Sequence, residues 1–234
     1  MEQKVALVTG GSRGIGKAIA RGLVEEGYFT VLVGRDAATL EVAAKELGQA
    51  GFIVADLVRP EAPDEVIKTC AARYGRLDVL VNCAGLSAAG SFTEVTPDEW
   101  DRIFAVNARA PFFLCRAALP LLKAAPKAFV INIASVVGFK GYINQSVYAS
   151  SKHALTGFTK VFAKEVQPFG IRVHLISPGG VATEMVRQMR PDIKADELIQ
   201  PEEIADIVRF IVTRPGNGTI DHFYIRRYSG LAFD

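Results

Sequence analysis

The fold of this chain is decided by residues 5–16, which read Val5-Ala6-Leu7-Val8-Thr9-Gly10-Gly11-Ser12-Arg13-Gly14-Ile15-Gly16. An apolar run typical of a buried strand passes into a glycine-rich turn, and residues at helical spacing follow directly. Glycine at this junction lets the backbone approach a pyrophosphate, whose charge is favoured by the free amides and the positive dipole end of the helix. The alternative is a merely tight turn, but the strand before it and the helix after it favour a nucleotide site.

Six more short apolar runs follow along the chain and are typical of buried strands. They span residues 29–33, 52–55, 77–81, 129–133, 171–176 and 220–225. The segments between them have helical spacing; Gly27 and Gly48 stand where glycine commonly ends a helix, and Thr96 and Pro201 where helices are expected to begin. This alternation predicts an α/β fold, with one domain over residues 1–234: a doubly wound, seven-stranded parallel sheet of Rossmann type with helices on both faces.

Ligands of such sheets bind at the carboxyl ends of the strands. The one irregular stretch covers residues 184–200, where mixed charges and two methionines, Met185 and Met189, suit a mobile flap over a site. An ordinary surface excursion is an equally good interpretation of the same residues.

Composition and charge argue against several classes of function. Lysine and arginine number 27 against 25 acidic residues, and the net charge of +2 gives no case for binding nucleic acid or an anionic membrane. The three cysteines form no CxxC pair and the three histidines have no ligand-like spacing, which argues against a disulfide framework and against a metal site. The N-terminus has no signal-peptide pattern and no apolar stretch approaches ~20 residues, so we expect a cytoplasmic protein.

Polar motifs follow the later strands in a fixed order. They are Asn82-Cys83-Ala84-Gly85 after the fourth strand, Ser135 at the end of the fifth, Tyr148 and Lys152 in a YxxxK pattern, and Pro178-Gly179 before Thr183. Behind the glycine turn, this order resembles the classical short-chain dehydrogenase/reductase family over nearly the whole chain, and within it 3-oxoacyl carrier-protein reductases and carbonyl reductases. The chain departs from the family pattern at Cys83, at His174 and in Ile225-Arg226-Arg227, which leaves substrate and C-terminal contacts open.

The resemblance implies a catalytic set of Asn107, Ser135, Tyr148 and Lys152. In this set Tyr148 donates the proton, Ser135 bonds the substrate oxygen, Lys152 bonds the nicotinamide ribose, and Asn107 holds a water that links Lys152 to solvent. The ordinary pKa of tyrosine is ~10, so an efficient donor is expected to need a lower pKa. Lys152 lies four residues after Tyr148 on the same helix face, and its ammonium is predicted to lower that pKa.

The resemblance also implies a dinucleotide site. Its residues are Gly10, Ser12, Arg13, Gly14, Ile15, Gly16, Arg35, Asp56, Leu57, Asn82, Ala84, Gly85, Tyr148, Lys152, Pro178, Gly179, Val181 and Thr183. The residue after the second strand sets the choice of cofactor, because an acid there binds the adenosine ribose and a base accepts a 2′-phosphate. Gly34 and Arg35 stand at that point, and Arg13 adds a second guanidinium, so NADP(H) is predicted. Asp36 is counter-evidence, since it could reach the ribose, although its position before a helix suits an N-cap at least as well.

The predicted function is the NADPH-dependent reduction of a ketone, of carbonyl or 3-oxoacyl type, to a secondary alcohol. The alternatives are an NAD-dependent secondary-alcohol dehydrogenase and a dinucleotide-sensing regulator without turnover. Phe169 stands where many carrier-protein reductases carry arginine, which favours a free small-molecule substrate. Residues 110–124 and 149–166 carry apolar side chains on more than one face, which predicts a homodimer or homotetramer unless both faces are buried within one chain.

Overall fold

A computed structural model describes residues 3–189, 192–214 and 216–230. Within these ranges seven strands form one sheet: β1 (Val5–Thr9), β2 (Phe29–Gly34), β3 (Ala50–Val54), β4 (Val79–Asn82), β5 (Ala128–Ile133), β6 (Ile171–Pro178) and β7 (His222–Ile225). The α-helices of the same ranges are α1 (Gly14–Glu25), α2 (Ala37–Leu47), α3 (Ala62–Tyr74), α4 (Pro97–Phe104), α5 (Ala110–Ala124), α6 (Ser146–Val166), α7 (Glu184–Met189) and α8 (Pro201–Thr213).

The sheet is parallel throughout, and its strands follow the order β3-β2-β1-β4-β5-β6-β7. Because side chains alternate across a strand, Val5 and Leu7 of β1 lie on one face while Ala6 and Val8 lie on the other. Helices α3, α5 and α6 pack on the first face, and α1, α2 and α8 pack on the second. The predicted doubly wound, seven-stranded parallel sheet is confirmed.

Strand boundaries differ from the apolar runs by up to two residues. β3 begins at Ala50, two residues before its run, and β4 and β7 begin at Val79 and His222, each two residues after theirs. Hydrogen-bonded partners set these limits: Ala50 pairs with Thr30 of β2, and His222 pairs with Leu175 of β6. An apolar run shows where a strand lies in the sequence, whereas the neighbouring strand in the sheet determines the residue at which pairing begins.

The predicted helix limits hold more closely. The helices expected before Gly27 and Gly48 end one or two residues earlier. The Thr96 side chain caps α4 by accepting a hydrogen bond from the Glu99 amide at 3.2 Å, and α8 begins at Pro201. Local capping signals therefore locate these helix ends well.

The order of the strands reverses between β1 and β4, because successive connections lead outward from these two strands in opposite directions. At such a switch point the connecting loops separate and leave a crevice at the carboxyl ends of the strands. In the part of the chain that the structure describes, we find no helix both long enough and apolar enough to cross a membrane.

Candidate active site

A cavity of about 630 Å³ opens at the carboxyl ends of β1 and β4, within the size range of cofactor and ligand pockets. Its walls are the glycine turn, the ends of β2 and β3, the segment after β4, the start of α6 and the segment from Pro178 to Gln188. The cavity therefore lies where the strand order reverses, and residues at the ends of six neighbouring strands, β1 to β6, line it.

The glycine turn brings free backbone amides to the cavity wall. No side chain among the described residues caps the start of α1, so its first amides and its positive dipole end remain available to an anion. Gly14 has a φ of 53°, and a Cβ at Gly16 would overlap the carbonyl oxygen of Gly10. A larger residue fits neither position without backbone movement. These features fit the pyrophosphate of a dinucleotide.

Thr9 joins this turn to the segment after β4. Its hydroxyl oxygen accepts hydrogen bonds from the amides of Cys83 and Ala84, both at 3.0 Å. The Gly10 amide donates to the carbonyl of Val33 at 2.8 Å, which fixes the turn against β2 as well. Three strand ends are thus held together before any ligand binds, as a preorganised binding site requires.

Two arginines line the end of the cavity beside β2, and Asp56 lines it at the end of the neighbouring strand β3. Arg13 and Arg35 both contribute to the wall, whereas Asp36 does not. The Asp36 carboxylate instead caps α2 by accepting a hydrogen bond from the Thr39 amide at 2.7 Å, and this bond holds the pKa of Asp36 below its usual value. The carboxylate that could have favoured a ribose hydroxyl is therefore engaged in the helix cap.

Ser135, Tyr148 and Lys152 meet at the opposite end of the cavity. Ser135 follows β5 and lies beside Tyr148 on the cavity wall, and its hydroxyl donates to the Pro178 carbonyl at 3.3 Å. Lys152, which is only 4% exposed, lies one turn after Tyr148 on α6 and donates from Nζ to the Ile133 carbonyl at 2.9 Å. The structure therefore places these three side chains together, as the sequence predicted.

Burial dominates the protonation of this group. It raises the pKa of Tyr148 to about 12, against a smaller opposing effect of the neighbouring Ser135 hydroxyl. It also lowers the pKa of Lys152 to about 8, against a smaller opposing effect of Cys83. The prediction that Lys152 lowers the pKa of Tyr148 is wrong for this arrangement, because Nζ lies 5.9 Å from the centre of the phenol ring and donates to Ile133 instead.

Asn107 lies behind the cavity wall rather than on it. It belongs to a π-helical segment, Ala105–Arg109, between α4 and α5, and its side chain is fully buried. Its amide nitrogen donates to the Leu86 carbonyl at 2.8 Å and to the Ser151 hydroxyl at 3.0 Å, and its amide oxygen accepts from the Leu86 amide at 2.8 Å. The side chain thus positions the loop after β4 against α6, and its role in holding a water stays a prediction.

Asn82 is the other predicted residue that the structure does not bring into the cavity. It is buried, and its amide nitrogen donates to Asn132 at 2.8 Å and to the sulfur of Cys115 at 3.4 Å. Asn82 is the last residue of β4, whereas Ala84 and Gly85 belong to the segment after that strand and line the cavity. Direct contact of the Asn82 side chain with a cofactor stays untested.

The remaining predicted residues all line the cavity. They are Gly10, Ser12, Arg13, Gly14, Ile15, Gly16, Arg35, Asp56, Leu57, Ala84, Gly85, Ser135, Tyr148, Lys152, Pro178, Gly179, Val181 and Thr183. The wall also includes residues that the motifs did not single out: Val33, Gly34, Ala55, Cys83, Leu86, Ser87, Val106, Ile133, Ala134, Ala182, Glu184, Met185, Val186, Arg187 and Gln188.

The five residues at the end of that second set belong to the irregular stretch interpreted as a possible flap. The structure places this part of it, through Gln188, against the cavity, which is where a flap over the site would lie, and the mobility of the stretch stays a prediction. Residues 190 and 191 of the stretch lie outside the described residues. No group of metal-binding side chains occurs in the described ranges.

The unusual C-terminal sequence supports the Pro178–Gly180 segment. The Gly179 amide donates to the Ile225 carbonyl at 2.7 Å. Arg227 makes an ion pair with Glu197 at 3.3 Å, while Arg226 donates from Nη1 to three carbonyls in the following turn. The residues that depart from the family pattern therefore hold the Pro178–Gly180 segment, which forms one wall of the site, through hydrogen bonds and an ion pair.

Comparison with known proteins agrees with this geometry. A family model described as short chain dehydrogenase matches residues 4–194. An uncharacterized oxidoreductase of Staphylococcus aureus (strain MRSA252) is 33% identical over 228 residues, which cover 97% of this chain and 98% of that protein. A solved metagenomic short-chain oxidoreductase in complex with NADP is 34% identical, with a TM-score of 0.85 and coverage of 97% and 98% of the two chains. An alcohol dehydrogenase from the archaeon Thermococcus sibiricus, complexed with 5-hydroxy-NADP, is 29% identical, with a TM-score of 0.90 and 99% of both chains covered.

Proposed function

The chain belongs to the short-chain dehydrogenase family, and from that premise we propose that it reduces a ketone to a secondary alcohol with NADPH. The observation that carries the proposal is that Ser135, Tyr148 and Lys152, the last two one helical turn apart, share the wall of a dinucleotide-sized cavity. Such a group can hold a carbonyl oxygen and supply its proton.

The cofactor is NADP(H). Two structural relatives of this chain were solved with NADP or with 5-hydroxy-NADP bound. In this chain Arg13 and Arg35 line the end of the cavity beside β2, and the nearby carboxylate of Asp36 is used to cap α2. A planar guanidinium can donate two hydrogen bonds to a phosphate and keeps its charge at every physiological pH, which suits a 2′-phosphate.

Reduction of a ketone needs a hydride at carbon and a proton at oxygen. The reduced nicotinamide supplies the hydride when it is bound. Tyr148 gives its phenol proton to the substrate oxygen, and Ser135 donates a hydrogen bond to the same oxygen as charge develops on it. Lys152, one helical turn from Tyr148, is the cation that would approach the negative charge left on Tyr148, and the alcohol leaves with one added hydride and one added proton.

The direct test is a panel of NADPH-oxidation assays on the purified protein with simple ketones, diketones and 3-oxoacyl thioesters. Turnover of at least one ketone with formation of the secondary alcohol is expected. Absence of turnover with every carbonyl, combined with tight NADPH binding, would instead support a dinucleotide-sensing regulator.

Replacement of Arg35 by leucine is expected to weaken NADPH binding by about tenfold to a hundredfold. This is the loss in affinity that corresponds to one hydrogen bond with a charged group, here the 2′-phosphate. NADH binding should change little, because NADH lacks the 2′-phosphate. Dissociation constants of both cofactors for the wild type and the variant measure the effect. Arg21→Leu, which removes an exposed arginine of α1 outside the cavity, is the matched control. Equal weakening of both cofactors by Arg35→Leu would contradict the assignment.

We further propose that α5 and α6 pair with a second copy of the chain. Phe112 of α5 and Val161 of α6 are 45% and 57% exposed, and the Phe112 ring lies 4.9 Å from that of Phe158. Light scattering is expected to give two or four times the chain mass of 25.3 kDa. Phe112→Lys combined with Val161→Lys should lower this mass, whereas Val42→Lys on the exposed face of α2 should not. A wild-type mass of one chain would refute the pairing.

A further inference from the structure

A third arginine, Arg187 on α7, lines the same cavity as Arg13 and Arg35. We infer that Arg187 binds the pyrophosphate of the cofactor from the flap side, opposite the amides that begin α1. The inference rests on NADP(H) binding and does not depend on the identity of the carbonyl substrate.

The position of Thr183 orients Arg187 toward the glycine turn. A Cβ built on Gly14 would lie 3.2 Å from the Thr183 methyl group, so this threonine packs directly against the start of α1. The Arg187 amide donates to the Thr183 carbonyl at 3.1 Å, which places Arg187 one helical turn later. Residues four apart share a helix face, so Arg187 extends from the side of α7 that faces Gly14.

The adjacent residue on α7 faces elsewhere. A Cβ on Gly180 would lie 3.7 Å from a methyl group of Val186 and 3.1 Å from one of Leu198. Val186 therefore packs toward Gly180 and Leu198. Its neighbour Arg187 extends in a different direction and lines the cavity.

Among the described residues, no acidic side chain forms an ion pair with Arg187. Glu184, the acid in the same helix, accepts a hydrogen bond from the Gln188 amide at 2.8 Å. A free guanidinium beside uncapped helix amides is a site for an anion with several oxygens.

The anion at this position is the pyrophosphate rather than the 2′-phosphate. Arg35 follows β2, where the adenosine ribose of a dinucleotide lies, whereas Thr183 and Arg187 lie against Gly14 at the start of α1, where the pyrophosphate binds. Arg187 should therefore contribute equally to NADPH and NADH.

The test compares Arg187→Leu with Lys194→Leu, which removes an exposed positive charge from the same flap outside the cavity. Dissociation constants are measured by calorimetry for NADPH, NADH and adenosine 2′-phosphate, without substrate or turnover. Arg187→Leu is expected to weaken NADPH and NADH by about tenfold each, because both carry the pyrophosphate. Adenosine 2′-phosphate, which lacks it, should bind both variants and the wild type alike.

Three results would overturn the inference. Unchanged constants for NADPH and NADH would remove Arg187 from the cofactor site. Weakening of NADPH and adenosine 2′-phosphate without weakening of NADH would move its contact to the 2′-phosphate. An equal loss in Lys194→Leu would show a general effect of flap charge instead of a contact. None of these results bears on whether a ketone is reduced, so failure here is separable from failure of the proposed reaction.

Discussion

Tyr148→Phe is expected to lower the turnover number by about a thousandfold while changing the dissociation constant of NADPH by less than about threefold. The substitution removes one hydroxyl group. That hydroxyl carries the only proton that the Tyr148 side chain can give to the substrate oxygen. Burial raises the pKa of Tyr148 to about 12, so the phenol carries this proton throughout the neutral range. Single-substrate kinetics with any ketone that the wild type reduces, together with NADPH titration, measure both quantities.

Tyr142→Phe provides the matched control for the Tyr148 variant. Tyr142 lies on the loop just before α6, is 42% exposed and does not line the cavity. Its variant should retain wild-type turnover. Turnover within tenfold of wild type in Tyr148→Phe would show that another group donates the proton and would remove Tyr148 from its proposed role.

Lys152→Met is expected to reduce kcat/KM by about a thousandfold and to weaken NADPH binding about tenfold. The methionine keeps most of the aliphatic volume but removes the ammonium, and with it both the charge beside Tyr148 and the donor proposed for the nicotinamide ribose. Steady-state kinetics and cofactor titration separate the two effects. Unchanged NADPH affinity would eliminate the ribose contact, and unchanged kcat/KM would eliminate the electrostatic role.

Unfolding experiments show whether the Lys152 variant has simply lost its fold. Burial lowers the pKa of Lys152 from 10.5 to about 8, so between these values the folded state binds fewer protons than the unfolded state. The contribution of Lys152 to stability therefore increases as pH rises from about 8 to 10.5. At pH 7 the variant should have a free energy of unfolding equal to or above that of the wild type, and this difference should shrink toward pH 9.

Sequence reasoning found the residues whose function depends on local spacing. The glycine turn needs glycine within a few residues of one strand end, and Tyr148 and Lys152 are brought together by a single helical turn. Such relations are determined by the backbone of one element. They can be recognised without knowing what packs against that element.

The properties that sequence reasoning missed depend on contacts between distant parts of the chain. The direction in which Asn107 points is set by the Leu86 backbone and by Ser151, which lie 21 and 44 residues away. The protonation of Tyr148 is set by its burial, which raises the pKa of the phenol more than Ser135 lowers it. Neither effect leaves a repeating pattern in the sequence.

The central position of β1 in the sheet also constrains how the chain acquires its fold during synthesis. β1 pairs with β2 on one edge and with β4 on the other, and the Val5 amide donates to the Asp78 carboxylate, 73 residues later. As the chain emerges from a ribosome, the second edge of β1 has no native partner until residues 79–82 have been made. A nascent chain of β1, β2 and β3 would therefore expose an apolar strand edge, and chaperone binding or aggregation should be most frequent at that length.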